Sequence, residues 1–138
     1  MSRLAIGFLS AIALMSAAFV AVASRGDPRD DGLFACPAPY IHDGDYIRCQ
    51  RGERSRLYAI DAPEKPGTCP AWKTCAPGDF IASRDHLRAL ARGDVRCRQL
   101  DRDRYGRPVL QCFAAGRNLS CAMVRDGYAI ERYGSLRC

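Results

Sequence analysis

Eight cysteines, at 36, 49, 69, 75, 97, 112, 121 and 138, constrain this chain more than any other feature. All of them follow an apolar N-terminal stretch. Residues 4–23, "LAIGFLSAIALMSAAFVAVA", come after Arg3 and end in small residues, the layout of an export signal cleaved near Ala23. The alternative is a retained membrane anchor, because about 20 apolar residues can span a bilayer. Either way the remainder is expected outside the cytoplasm, periplasmic or secreted and membrane-tethered only if the segment is kept. An even cysteine count there implies disulfides. Zinc is the competing use, but the sequence has no CxxC pair and only His42 and His86 to assist.

Eight cysteines allow 105 connectivities. Cys97 and Cys112 flank one hairpin on the same face, so a cross-strand bridge is the pairing that the pattern supports most directly. Cys69 and Cys75 can close a loop after Glu64. Cys36 and Cys49 lie on either side of "HDGD", which leaves Cys121 for Cys138.

Beyond the signal, residues 24–32, "SRGDPRDDG", read as a polar linker, and 33–138 as one domain. "YIRCQ" and "RLYAI", joined by "RGERS", read as a β-hairpin, and "DVRCRQL" and "RPVLQCFA" around "DRDRYG" as a second. Asp79 is placed to cap a helix running to about Arg92, with Phe80, Leu87, Leu90 and Ala91 inward and Gly93 as its stop. Ser83 and Arg84 interrupt that apolar face. Asn118 is placed to cap a second helix carrying Leu119, Ala122 and Met123 and ended by Gly127. Two strands, a helix, two strands and a helix suit a small barrel or sheet with helices packed on it.

The net charge of +6 rests almost wholly on arginine, since only Lys65 and Lys73 of the 21 basic residues are lysines. The guanidinium fork matches phosphate and stacks on bases, which fits a polyanion partner; solubility or genomic composition accounts for the same bias. Against this basic background, Asp43, Asp45, Asp61 and Glu64 cluster at expected strand ends, where hard oxygen ligands can converge on a cation such as calcium. Turn chemistry is the plainer use of Asp-Gly and Asp-Ala-Pro. Arg56, which starts the strand ending in Asp61, and Arg107, which closes "DRYGR", tilt the balance. A metal with two guanidiniums neutralises the charge that builds up in phosphodiester cleavage.

Together "DGDYI", "RLYAIDAPE", "DRYGR" and "NLSCAMVRDGYA" resemble, in order and approximate spacing, the motifs of the thermonuclease, or staphylococcal nuclease-like, family. The resemblance covers roughly residues 36–134. It implies an α+β, mainly β fold: a five-stranded OB-fold barrel with helices packed against it. It also implies calcium-dependent cleavage of DNA and RNA, and implies nothing of a protein partner. Carried over motif by motif, Asp45 and Asp61 would ligate calcium with the backbone carbonyl of Ala62, and Glu64 would position or deprotonate the attacking water. Arg56 and Arg107 would hold the scissile phosphate, and Tyr105 and Tyr133 would lie near the bound nucleotide. Three departures stand out: Tyr46 where threonine is usual after "DGD", Ala62 where some members have threonine, and Pro108 directly after Arg107. The same fold without catalysis, an OB-fold that binds single strands in the cell envelope, is the alternative. A disulfide-stapled envelope protein with no nucleic-acid role is a third.

Overall fold

The alternation that marks two hairpins becomes two antiparallel ladders in the computed structural model, which describes residues 32–50 and 52–138. The expected export segment and all of the linker but Gly32 lie outside the described residues. The first ladder pairs β3 (Tyr46–Arg48) with β4 (Ser55–Leu57). The second pairs β6 (Val95–Arg102) with β7 (Pro108–Ala114), with Cys97 directly opposite Cys112. Along β7 every second residue is buried, the period of a strand with one face on a core.

Short strands complete the sheet. β1 (Phe34–Ala35) joins β6, β2 (Tyr40–Ile41) joins β3, and β8 (Arg117–Asn118) joins β7. The order is β1-β6-β7-β4-β3-β2, and the middle pair, β7 and β4, is parallel. That pair sets Arg56 beside Val109, so both arginine-bearing segments share one end of the sheet. A separate ladder ties β5 (Ile60–Asp61) to β9 (Ile130–Glu131). Two helices, α1 (Phe80–Leu90) and α2 (Leu119–Arg125), pack against this curled, mainly β framework, as the OB-like expectation requires.

The helices start where the sequence says. The Asp79 carboxylate accepts the Ala82 N–H at 2.6 Å, and the Asn118 side chain accepts that of Cys121 at 3.2 Å, each satisfying an otherwise orphaned donor. α2 ends at Arg125 with Asp126 as its C-cap, and the next residue, Gly127, turns the chain away at a φ of 80° that is open to glycine at little cost. α1 ends at Leu90, two residues before the expected Arg92, with the Ala91 N–H closing on the Leu87 carbonyl. Ile47, Leu57, Leu87, Val95, Leu119 and Met123 fill the core.

All eight cysteines are paired, as 36–49, 69–75, 97–112 and 121–138. Sulfurs of Cys36, Cys49 and Cys97 lie within 4.8 Å of one another. They belong to two neighbouring disulfides, 36–49 and 97–112, so they offer no thiolate to zinc.

Candidate active site

The "HDGD" turn delivers Asp45, and it does so through an unusually close approach. A methyl on Gly44 would lie 1.9 Å from Ser83 Oγ and 2.8 Å from Ala62 Cβ, so only glycine lets the turn seat against α1 and the end of β5. Ser83, the polar break in the helix face, is fully buried for the same reason. It is small, and its hydroxyl donates to the Tyr128 carbonyl at 2.6 Å. The turn, α1 and the segment after α2 are thereby locked together.

Asp45 is buried and points at its neighbours on two strands. Its Oδ2 accepts the Ala62 N–H at 3.0 Å and Arg56 Nη2 at 2.6 Å. Burial pushes its carboxyl well above the usual range; Arg56 opposes this and the adjacent Asp43 adds to it. Asp61 has no solvent exposure and meets three cations. Lys73 Nζ lies 2.9 Å from Oδ1, Arg132 Nη1 lies 2.6 Å from Oδ2, and Arg56 Nη2 stands 3.8 Å from Oδ1. Glu64, more open to solvent, takes the same Lys73 ammonium at 3.0 Å. Burial works against the charge on Lys73 and on Arg56, but the surrounding carboxylates outweigh it and raise both, so both stay charged.

Arg107 lies on the same cleft, of about 880 Å³, with Arg56, Glu64, Lys73 and Arg132. It is held from behind. Asp103 accepts its Nε at 2.7 Å and its backbone N–H at 3.0 Å, which closes the turn. Pro108 begins β7, a position where a missing donor is tolerated, and it does not carry Arg107 off the cleft. Tyr105 and Tyr133 are exposed along the cleft wall. Tyr46, the departure after "DGD", packs edge-on against His42 with ring centres 5.5 Å apart.

Asp45, Arg56, Asp61 and Glu64 therefore meet at one place, and Ala62 enters through its N–H. Sequence reasoning did not find Lys73 and Arg132. The Cys69–Cys75 spacing, which closes the loop that follows Glu64, was the available signal for Lys73. Arg132 arrives through the β5–β9 ladder, which no local pattern announces. The donors suit a hard cation, being carboxylate oxygens with no sulfur or imidazole among them. The ammonium bridging Asp61 and Glu64 marks a position that already accommodates positive charge.

Comparison with known proteins agrees with this constellation. The family described as staphylococcal nuclease homologue matches residues 54–137. A succinoglycan biosynthesis protein, ExoI, of Rhizobium meliloti (strain 1021) is 34% identical over 101 residues, covering 67% of this chain and 49% of the relative. An uncharacterized endonuclease of Escherichia coli O157:H7 is 35% identical over 102 residues, 69% of this chain and 60% of the relative. The chain thus spans about half to three-fifths of the length of these curated relatives. With well over half of its residues matched, and with Arg56, Glu64 and Arg107 on one cleft beside the buried Asp45 and Asp61, the chain belongs to the staphylococcal nuclease homologue family.

Proposed function

We propose that the protein is an exported, calcium-dependent nuclease that hydrolyses phosphodiester bonds of DNA and RNA by in-line attack of water. The observation that carries this reading is the meeting of Asp45, Arg56, Asp61 and Glu64 beside a cleft that Arg107 also lines. Asp45, Asp61 and the Ala62 carbonyl are the groups to hold calcium, which when bound supplies charge neutralisation at the phosphate. Glu64, the most open of the three acids, orients or deprotonates the attacking water. Arg56 and Arg107 are each fixed by a carboxylate, Asp45 and Asp103, so they stand as preorganised donors for charge developing on phosphate oxygens. The exposed Tyr105 and Tyr133 flank the path of the nucleotide. Export is supported by the apolar segment at 4–23 and by the four disulfides.

One observation favours the non-catalytic alternative, an OB-fold that only binds single strands: Lys73 already neutralises Asp61 and Glu64. Cleavage of plasmid and RNA, with calcium and with a chelator, separates the two. Calcium-dependent cleavage is expected, and Glu64→Gln should lose at least ~10²-fold in turnover. A folded protein that cuts neither substrate, or cuts both in chelator, overturns the proposal. Near-normal turnover in Glu64→Gln removes that residue from the mechanism.

A further inference from the structure

The loop closed by Cys69–Cys75 carries two neighbouring residues in opposite directions. Lys73 is drawn inward to Asp61 and Glu64, and its N–H closes a turn on the Pro70 carbonyl at 3.0 Å. Trp72 is thereby left outward on the cleft, 71% exposed. A single exposed aromatic is ordinary on a protein surface. This one has company: three of the seven exposed large hydrophobic side chains among the described residues, Trp72, Tyr105 and Tyr133, line this one cleft. The first two share one planar cation. Arg104 Cζ is 5.3 Å from the Trp72 ring centre and 4.8 Å from that of Tyr105, and its Nη2 donates to the Tyr105 hydroxyl at 2.7 Å. Both rings thus face one planar cation, and Tyr105 also lies under Arg107, whose Cζ is 5.2 Å from the ring centre, so these faces already hold flat groups of the kind a base can replace. Arginines around them supply the charge that a phosphate backbone needs.

We propose that Trp72 is a base-stacking residue that, with Tyr105 sharing the Arg104 guanidinium, takes an unpaired base beside the acid cluster. Stacking on an aromatic face is tolerant of sequence because every base has such a face, but it requires the base to be out of a duplex. The inference rests on the nucleic-acid reading of the cleft, though not on catalysis.

Trp72 is the only tryptophan of the chain, so intrinsic fluorescence reports on it alone. The full-length protein, held in chelator to prevent cleavage, is titrated with an oligothymidylate and with a blunt duplex of equal length. Saturable quenching by the single strand, at concentrations where the duplex gives little, is expected. Trp72→Ala should weaken binding of a labelled oligothymidylate by about 5- to 150-fold, with Trp72→Phe recovering most of it and both variants melting like the parent. Unchanged emission, equal response to duplex, or undiminished binding by Trp72→Ala overturns the inference. If any of these occurs while plasmid is still cut with calcium, only this inference fails. If quenching holds and no substrate is cut, the stacking site stands and the nuclease reading fails.

Discussion

Asp61 and Lys73 show how much of a site can hang on single side chains. A fully buried carboxylate is tolerable only when paired, and Asp61 is paired three times, with Lys73, Arg132 and Arg56. The Lys73 ammonium also sits on Asp61, one of the two acids that calcium would engage, and bridges it to Glu64, so the ion binds in competition with a tethered charge. Removing that charge should tighten calcium binding: Lys73→Ala is expected to show a lower calcium dissociation constant by titration calorimetry. An unchanged or weaker affinity would mean that the ammonium serves to hold the carboxylates in place. Asp45, Arg56, Asp61, Glu64 and Arg107 were legible in the sequence because acids and arginines sat at strand ends in a recognisable order. Lys73 and Arg132 were not, because what brings them to Asp61 is a disulfide loop and a two-residue ladder, both tertiary in origin.

At the scale of elements, the turn before β3 and the helix α1 form one contact through Gly44 and Ser83. Neither residue is catalytic in any reading, yet Asp45 stands where it does because they fit. Gly44→Ala places a methyl against Ser83 Oγ and Ala62 Cβ, neither of which is the end of a flexible side chain. The expected loss is about 1–3 kcal/mol of stability, typical of overpacking, read from the midpoint of urea unfolding. The same variant should lose calcium affinity, since Asp45 moves with the turn; a parent-like midpoint would show that the turn can shift freely. The second hairpin and the starts of both helices were read correctly from alternation and caps. The breaks at Ser83 and Arg84 looked like flaws in α1, when Ser83 is the small buried residue that the turn requires. β1, β2, β8 and β9 were missed because two residues carry no period, and the single strand expected from Arg56 to Asp61 is split into β4 and β5 by a turn at Tyr58 and Ala59, where Ala59 has a φ of 65°. The parallel β4–β7 pair was missed because it joins segments far apart in sequence.

The whole molecule is small, and its disulfides divide the labour of stability and function unequally. The 69–75 bridge closes a separation of 6 residues, whereas 36–49, 97–112 and 121–138 close 13, 15 and 17. By chain entropy the short loop contributes about 2 kcal/mol and the longest about 3 kcal/mol. Burial widens the gap: Cys97 and Cys112 are wholly enclosed against the Cys36–Cys49 bridge, so their loss also leaves badly filled space. Folded domains of this size hold only about 5–15 kcal/mol in total. Two double variants should therefore part company. Cys97→Ala with Cys112→Ala should lower the melting temperature sharply. Cys69→Ser with Cys75→Ser should lower it least, because that bridge braces a surface loop rather than the core. The second variant should nonetheless change the site more, since the freed loop carries both Lys73 and Trp72: calcium affinity should shift as in Lys73→Ala, and quenching by oligothymidylate should weaken. Equal melting losses in the two variants, or a 69–75 variant with parent-like calcium and oligonucleotide binding, would show that the loop is held by its contacts and that the disulfide adds nothing to the cleft.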